Sequence, residues 1–309
     1  MLIKVLCHKK PWTKLKKYGR YHSLMKEAFF NVDETRKNIY HPTPFARGPW
    51  DPKTLHGRVL SGLVAFEVEE NCLSENESGV FQASRITVDL FRPPPMSPLI
   101  VTSQIVRSGR RIKVIDVNIA SELEGRGVVD IARGSVVMLK KSANPDGEIW
   151  SPPDWEIDPP LEDMPALEAA QKGPDSTASL PIWQTVNVQD DEGKPYDENG
   201  PQHRKLGVRQ AWIRETYSLI SGIPPSQLVR VAQVADFANP FTNSGTRGLN
   251  YINADITLYL QRTPVGSWIG TETSYHGADN GVSVGTMSLY DRRGRVGTST
   301  VCGLAQSRS

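Results

Sequence analysis

The sequence has few cysteines and no long apolar run, and both shortages narrow what the chain can be. Its three cysteines, Cys7, Cys72 and Cys302, are too few and too widely spaced for a disulfide framework or a zinc site. No stretch approaches the roughly 18 consecutive apolar residues of a membrane span, and the N-terminus lacks the apolar core of a secretory signal. We therefore expect a cytoplasmic protein that makes no stable membrane insertion.

A large net charge is also missing. The chain has 36 basic and 34 acidic residues, a formal charge of +2, which gives no global sign of a nucleic-acid partner. The N-terminus is the local exception, because its basic residues precede any acidic one: Lys4, Lys9, Lys10, Lys14, Lys16, Lys17 and Arg20. Such a run can touch anionic lipid or RNA, but it is more often a solvated leader. We interpret residues 1–28 as a basic leader and expect no nucleic-acid partner.

Several catalytic signatures are missing as well. There is no Gly-x-Ser-x-Gly elbow, no glycine-rich phosphate loop before a helix, and no His/Cys spacing typical of a metal site. These absences argue against a serine hydrolase and a metalloenzyme. We expect no cofactor and no metal.

What the sequence does contain is an internal repeat. Residues 86–92 (ITVDLFR) and 256–262 (ITLYLQR) agree at four of seven positions, with an offset of 170. The same offset relates other positions: Val59 to Val229, Val64 to Val234, Ala65 to Ala235, and Gly127 to Gly297. Agreement of separate segments on one offset predicts a duplication.

Each half repeats one order of elements, a helix of about 12–15 residues followed by strands. The first helix opens at His56-Gly57 and the second after Pro224-Pro225-Ser226. The predicted strands of the first half are RITVDLFRP, LIVTSQIVRS, RIKVIDVNIASEL and VVDIARGSVVML. Those of the second half are YINADITLYLQR, SWIGTETSYH, SVGTMSLYD and VGTSTVCGLA. The pattern favours an α+β fold in which a sheet wraps a helix, twice.

The halves are predicted at 29–142 and 207–309. Residues 143–206 are rich in proline and charge, and we interpret them as a connector over the surface. Three tryptophans in this segment, Trp150, Trp155 and Trp183, indicate that parts of it are fixed by packing.

The ordered segments resemble the double hot-dog acyl-CoA thioesterase family, including bacterial acyl-CoA thioesterase II. In the first half the resemblance rests on GPWDPKTLHGRVLSGLVA, RITVDLFRP and VRSGRRI. In the second half it rests on WIRE, SQLVRVAQVADFANP, NYINADITLYLQR, PVGSWIG and LYDRRGRVGTSTV. The resemblance implies a double hot-dog fold, two tandem halves each with an antiparallel sheet around a long central helix. It also implies hydrolysis of an acyl-CoA to free acid and CoA, an acyl tunnel between the halves, and a homo-oligomer.

The resemblance also implies three catalytic positions. The acid falls on Asp236 in VADFANP, and the polar strand residue falls on Asn253 in YINAD, where a threonine is usual. The third position falls on Cys302 in STVCG, where the family has glutamine. A thiol cannot reproduce the donor and acceptor pair of an amide.

These residue types suit thioester hydrolysis, which needs an oriented water, a base, and donors for the developing oxyanion. Asp236 would take the proton or orient the water, and Asn253 would fix the water or help to hold the oxyanion. Backbone N–H groups at a helix start, near His56-Gly57 or Ser226, would hold the oxyanion, because the first N–H groups of a helix lack intrahelical partners. Arginines in VRSGRRI are candidate contacts to CoA phosphates: Arg107, Arg110 and Arg111.

Structural interpretations of the same residues stay open. Asp236 could cap or end its helix and pair with an arginine, Asn253 could be a turn or strand-entry residue, and His56-Gly57 could be only a helix entry. Cys302 could be a small buried hydrophobe, and the arginines could serve solubility. The repeat supplies one independent comparison, because subtracting 170 from the three catalytic positions gives apolar residues, Phe66, Ala83 and Ala132. We therefore place the chemistry in the second half.

Two other functions stay open. A hot-dog enoyl-thioester hydratase or dehydratase needs an Asp–His pair, but no histidine follows Asp236 closely, and His276 lies in a strand end or loop. An acyl-thioester binding protein without turnover would explain Cys302 in place of glutamine.

Overall fold

The computed structural model describes residues 5–6, 27–48, 51–74, 76–77, 79–155, 158–162, 183–187 and 206–306. Most of the predicted basic leader and much of the predicted connector lie outside these residues. Within the described part of the chain, no helix is long and apolar enough to cross a membrane.

The described strands form one continuous sheet of 15 strands and a separate two-stranded hairpin. The first seven strands are β1 (Val5–Leu6), β2 (Ala28–Val32), β3 (Ile39–Pro42), β4 (Phe81–Leu90), β5 (Leu99–Ser108), β6 (Ile112–Leu123) and β7 (Gly127–Lys140). The others are β8 (Trp183–Asn187), β9 (Gln210–Glu215), β10 (Ser218–Ile220), β11 (Ser244–Gly245), β12 (Gly248–Leu249), β13 (Tyr251–Asn253), β14 (Asp255–Leu260), β15 (Ile269–Asp279), β16 (Val282–Asp291) and β17 (Gly294–Ala305). All eight strands predicted from the sequence are present.

The order of strands repeats the duplication. Outward from the centre of the sheet, the first half runs β4-β7-β6-β5-β3-β2 and the second half runs β14-β17-β16-β15-β9-β8. The offset of 170 holds at the strand starts, since β5 begins at Leu99 and β15 at Ile269, and β6 begins at Ile112 and β16 at Val282. The halves join where β4 pairs antiparallel with β14.

Three strands do not follow the boundaries expected from composition. β1, in the segment predicted as a leader, pairs antiparallel with β5 of the first half. β8 comes from the segment predicted as a connector, yet it pairs with β9 and occupies the place that β2 has in the first half. β10 follows β9 in the chain but pairs in parallel with β2 of the first half. Short strands of this kind carry little periodicity, so they were not predicted from the sequence.

The helices lie against one face of the sheet and against each other. α1 (Arg58–Glu67) continues into a π-helical turn at Val68–Cys72, and every residue of α1 is buried. It packs on α2 (Gln227–Ala235), where the Ser61 hydroxyl donates to the carbonyl of Ala232 at 2.6 Å. Buried residues of both halves share one large apolar cluster, and Trp212, Trp268 and Tyr290 form a second, smaller one.

The second helix is shorter than predicted. α2 ends at Ala235 and a separate α3 (Ala238–Asn243) follows. Pro240 lacks an N–H group and cannot bond to the carbonyl of Asp236, so the helix breaks there. The break leaves Asp236 at the end of α2, where its side chain can face out of the helix pair.

Candidate functional site

A cavity of about 1240 Å³ opens between the two halves, larger than the roughly 300–1,000 Å³ usual for ligand pockets. The first half lines it with the loop that enters α1 and with the end of β4. The second half lines it with the end of α2, the β11–β12 hairpin and β13. Its apolar lining includes Leu55, Leu90, Phe91, Trp183, Phe237, Leu249, Ile252 and Leu304. Such a space suits an apolar chain together with a few polar groups.

Asp236 lies on the wall of this cavity and is only 7% exposed. Its Oδ1 accepts a hydrogen bond from Asn253 Nδ2 at 3.1 Å. Its Oδ2 lies 3.3 Å from His56 Nδ1. The carboxylate therefore joins a strand residue of its own half to a helix-entry residue of the other half.

His56 is fixed at this place by the turn that starts α1. Its backbone N–H donates to the carbonyl of Ala46 at 3.0 Å, and its carbonyl accepts from Val59 N. Gly57 caps the helix directly against Asp236, since a methyl group added at Gly57 would lie 3.3 Å from each carboxylate oxygen. No described residue accepts a hydrogen bond from the Gly57 N–H, so this donor is available at the cavity wall.

The electrostatics of the pair favour a neutral imidazole. Burial lowers the pKa of His56, and this effect outweighs the opposing hydrogen bond and charge of Asp236. Arg58 N lies 3.4 Å from Nδ1 and can donate to it only in the tautomer whose Nδ1 carries no proton. A neutral ring with its Nδ1–H on Asp236 would keep a lone pair on Nε2.

Asn253 ends β13 and is held by its amide nitrogen. Besides Asp236, Nδ2 reaches the carbonyl of Asp255 at 3.4 Å. No donor among the described residues reaches Asn253 Oδ1, so this oxygen can accept a hydrogen bond from a water beside Asp236.

A buried ion pair stabilises the packing around the site. Arg58, which follows Gly57, binds Glu215 through two N–H groups, at 3.2 Å and 2.6 Å, and both residues are at most 2% exposed. The guanidinium lies 5.0 Å from the ring centroid of Phe29 and 4.8 Å from that of Trp183. Trp183 in turn meets His56 and Phe237 edge to face, at 5.6 Å and 4.8 Å between centroids. This packing fixes the rings that surround Asp236.

Cys302 is not brought to the site. Val301 is buried while Cys302 is exposed, and Cys302 does not line the cavity, although Leu304 on the same face of β17 does. Its N–H donates to Asp255 Oδ1 at 2.7 Å. Partial desolvation of the sulfur and the neighbouring Asp255 carboxylate raise the pKa of the thiol to about 11, so the thiol stays protonated near neutral pH.

The predicted phosphate contacts also lie elsewhere. Arg107, Arg110 and Arg111 are exposed at the β5–β6 turn, and Lys140 N donates to the carbonyl of Arg111. Lys140 pairs with Phe81 at the start of β4, whereas Leu90 at the end of β4 lines the cavity. At about 3.3 Å per residue, these two ends of β4 are roughly 30 Å apart.

Several cavity residues had no functional prediction, among them a tryptophan and two arginines. Trp183 comes from the segment read as a connector, and Arg92 and Arg247 lie at the exposed rim. A signal for Arg92 was present, because it is one of the four identities of the repeat. Among the described residues, no group of three or more His, Cys, Asp or Glu side chains is placed to hold a metal ion.

Comparison with protein families gives two matches to this chain. The acyl-CoA thioesterase N-terminal domain matches residues 46–139, and the acyl-CoA thioesterase C-terminal domain matches residues 161–301. A search of curated protein sequences returned no match.

Solved structures agree on the fold. The acyl-CoA thioesterase II TesB2 of Mycobacterium marinum is 15% identical, with a TM-score of 0.56 and coverage of 90% of this chain and 96% of that chain. The tesB protein of Mycobacterium avium subspecies paratuberculosis is 12% identical, with a TM-score of 0.57 and coverage of 89% and 96%. A hot-dog protein of unknown function from Alicyclobacillus acidocaldarius is 14% identical, with a TM-score of 0.59 and coverage of 90% and 96%. The predicted double hot-dog α+β fold is confirmed.

Proposed function

Since the chain belongs to the acyl-CoA thioesterase family, we propose that it hydrolyses acyl-CoA thioesters with a water held by Asp236 and Asn253. The observation that carries this proposal is the position of Asp236. Its carboxylate lies on the wall of an apolar cavity between the halves, within 3.1 Å of Asn253 and 3.3 Å of His56.

The proposed reaction uses groups already oriented in the site. Asn253 Oδ1 and the Asp236 carboxylate orient the water, and Asp236 takes one of its protons as the oxygen attacks the thioester carbon. The Gly57 N–H stabilises the negative carbonyl oxygen. The intermediate then loses the C–S bond, and the proton on Asp236 passes to the leaving thiolate, giving the free acid and CoA. Cys302 has no part in this scheme.

The test is release of free CoA from acyl-CoAs of graded chain length, with wild type and Asp236→Asn compared. Loss of the base should lower kcat by about 10²–10⁴-fold while the circular dichroism spectrum stays unchanged. Ser283→Ala, a change at a buried hydroxyl outside the cavity, is the matched control. If Asp236→Asn keeps the wild-type rate, the assignment of the base is wrong.

The contact between His56 and Asp236 favours a second candidate, hydration of an enoyl thioester. No histidine follows Asp236 closely in the chain, but the other half supplies one at 3.3 Å. In that reaction an Asp–His pair delivers a proton to the α carbon and the hydroxyl of water to the β carbon. An enoyl-CoA distinguishes the two reactions, because hydration removes the ultraviolet absorbance of the conjugated thioester without releasing a thiol. Hydrolysis releases the thiol.

An acyl-thioester binding protein is the remaining possibility. It would show saturable binding of acyl-CoA but neither thiol release nor loss of the enoyl absorbance. The same two assays therefore separate all three functions.

A further inference from the structure

We propose that Arg92 and Arg247 bind the phosphate groups of a coenzyme A thioester at the rim of the cavity. This inference rests on the proposed function and goes beyond it, because it names the residues that recognise the carrier of the acyl group. Both arginines are exposed and both line the cavity that contains Asp236.

Comparison of the two halves shows that Arg92 lacks the ion-pair partner that its counterpart has. Arg262, at the offset of 170, binds the carboxylate of Asp291 through both terminal nitrogens and donates to the carbonyl of Gly294 at 3.0 Å. The position equivalent to Asp291 is Ser121, whose hydroxyl donates to the Pro98 carbonyl instead. Among the described residues, Arg92 has no ion pair and no side-chain hydrogen bond. Its charge is therefore available to a ligand.

For Arg247, the unpaired residue lies in the second half and its paired counterpart lies in the first. Its counterpart at the offset of 170 is Glu77, whose carboxylate pairs with Lys113. Arg247 itself stands in the turn of the β11–β12 hairpin, and no acidic side chain in the described part of the chain pairs with it. One end of the duplicated fold thus has neutralised charges, while the cavity end has two uncompensated cations.

The backbones that carry the two arginines are well fixed. Arg92 precedes Pro93-Pro94-Pro95, where the ring of each proline restricts φ, and the Pro94 carbonyl accepts from Leu55 N at 2.8 Å. The base of the Arg247 hairpin is held by Arg209, which donates to the carbonyls of Phe241 and Ser244, each at 2.7 Å. A preorganised backbone lowers the entropic cost of binding.

The chemistry of the lining fits a ligand that is apolar at one end and anionic at the other. Apolar residues such as Phe237 and Ile252 line the cavity beside Asp236, whereas the guanidinium groups stand at the exposed rim. Guanidinium binds phosphate oxygens in a bidentate manner, which an ammonium group cannot do. Asp51 also lines the cavity, and its Oδ1 accepts from Lys53 N at 2.8 Å, so the two guanidinium groups face one carboxylate at the exposed rim.

The first experiment compares one acyl group on two carriers, coenzyme A and N-acetylcysteamine, which has no phosphate. We expect Arg92→Ala and Arg247→Ala each to raise KM for the acyl-CoA about 10-fold, and both together about 100-fold, with the N-acetylcysteamine thioester unaffected. Arg92→Lys should recover only part of the loss. Arg126→Ala, an exposed arginine in the β6–β7 turn, is the control. Equal losses on both carriers, or an unchanged KM for acyl-CoA, would overturn the proposal.

A second experiment separates this proposal from the proposed function. Calorimetric titration with CoA, with pantetheine 4′-phosphate and with pantetheine needs no turnover. The proposal requires CoA to bind more tightly than either fragment and requires this advantage to vanish in Arg92→Ala and Arg247→Ala. If pantetheine 4′-phosphate binds as tightly as CoA, the site recognises a single phosphate and the assignment to the CoA carrier is wrong. If the wild type binds CoA in this way but releases no CoA from any acyl-CoA, the proposed function is rejected and the role of the two arginines stands.

Discussion

Thr87 of β4 lies directly opposite Thr257 of β14, and the two hydroxyl oxygens are 3.3 Å apart. These residues are also equivalent in the sequence repeat, since their numbers differ by 170. Equivalent residues can face each other across an antiparallel pair only near an axis of approximate two-fold symmetry. The duplicated halves are therefore arranged like the two subunits of a symmetric dimer.

The approximate axis explains why the molecule has two related helix contacts of different chemistry. At one end, His56 at the start of α1 meets Asp236 at the end of α2. At the other end, Ser226, the repeat equivalent of His56, caps α2 and donates its hydroxyl to the carboxylate of Glu69 beyond α1. The duplication has left a histidine–carboxylate contact at the cavity and a serine–carboxylate contact opposite.

The Glu69 contact predicts a pH dependence of stability. Burial raises the pKa of Glu69 to about 7, with a contribution from the charge of Glu70, and Ser226 opposes the shift. A carboxyl group with a raised pKa in the folded state stabilises the fold below its unfolded pKa, and this contribution is lost as pH rises through 7. The contribution is at most about 3 kcal/mol, and less because the residue is only partly buried.

We therefore expect Glu69→Gln to flatten the fall in Tm of the wild type between about pH 5 and 8. Glu122→Gln, at an exposed position of β6, is the control and should leave the wild-type profile in place. Thermal denaturation across this range makes the measurement. A variant profile parallel to that of the wild type would contradict the assignment.

Cys302 and Asn253 should differ sharply in their effect on turnover. Cys302→Ala removes a thiol that stands outside the cavity, so kcat for acyl-CoA should stay within about twofold. Asn253→Ala removes the amide that contacts Asp236 Oδ1, and kcat should fall by at least about 10-fold. Initial rates of CoA release check both. A large loss in Cys302→Ala would return that residue to the catalytic group that the family resemblance implied.

His56 predicts the acid side of the pH–rate profile. Because burial lowers its pKa, His56 should be neutral at neutral pH and become protonated only in acid. We expect kcat/KM to fall on the acid side, with an apparent pKa below about 6.5, as the charge on the ring changes its contact with Asp236. His56→Gln should remove this pH-dependent step even where the rate itself is low. Persistence of the same step in the variant would assign it to another group.

The Arg58–Glu215 pair should matter for stability far more than surface pairs. Glu215→Gln leaves the guanidinium of Arg58 buried without its counter-charge, which costs about 3–5 kcal/mol. Asp116→Asn removes the partner of Arg133 in an exposed pair, with side chains 31% and 53% exposed, and should cost less than about 1 kcal/mol. Urea denaturation gives both free energies of unfolding. Similar costs for the two variants would show that the buried pair is not the support we infer.

The sequence by itself determined the duplicated α+β plan and the place of Asp236 and Asn253. The eight long strands show repeated β-rich runs with turn residues between them, and local patterns of this kind survive without tertiary information. The common offset then made the two halves visible without any structure. Both carboxylate and amide fell at positions that the fold brings within 3.1 Å.

Only the tertiary structure decided which other residues join them. His56 stands 180 residues before Asp236, and their contact exists because α1 and α2 pack against each other across the approximate axis. Cys302 stands outside the cavity although Leu304, on the same face of β17, lines it, so strand periodicity alone does not place the thiol. Arg92 and Arg262 are identical in the repeat, yet the structure shows that Arg262 binds Asp291 whereas Ser121, at the equivalent position, bonds to Pro98 and leaves Arg92 for a ligand.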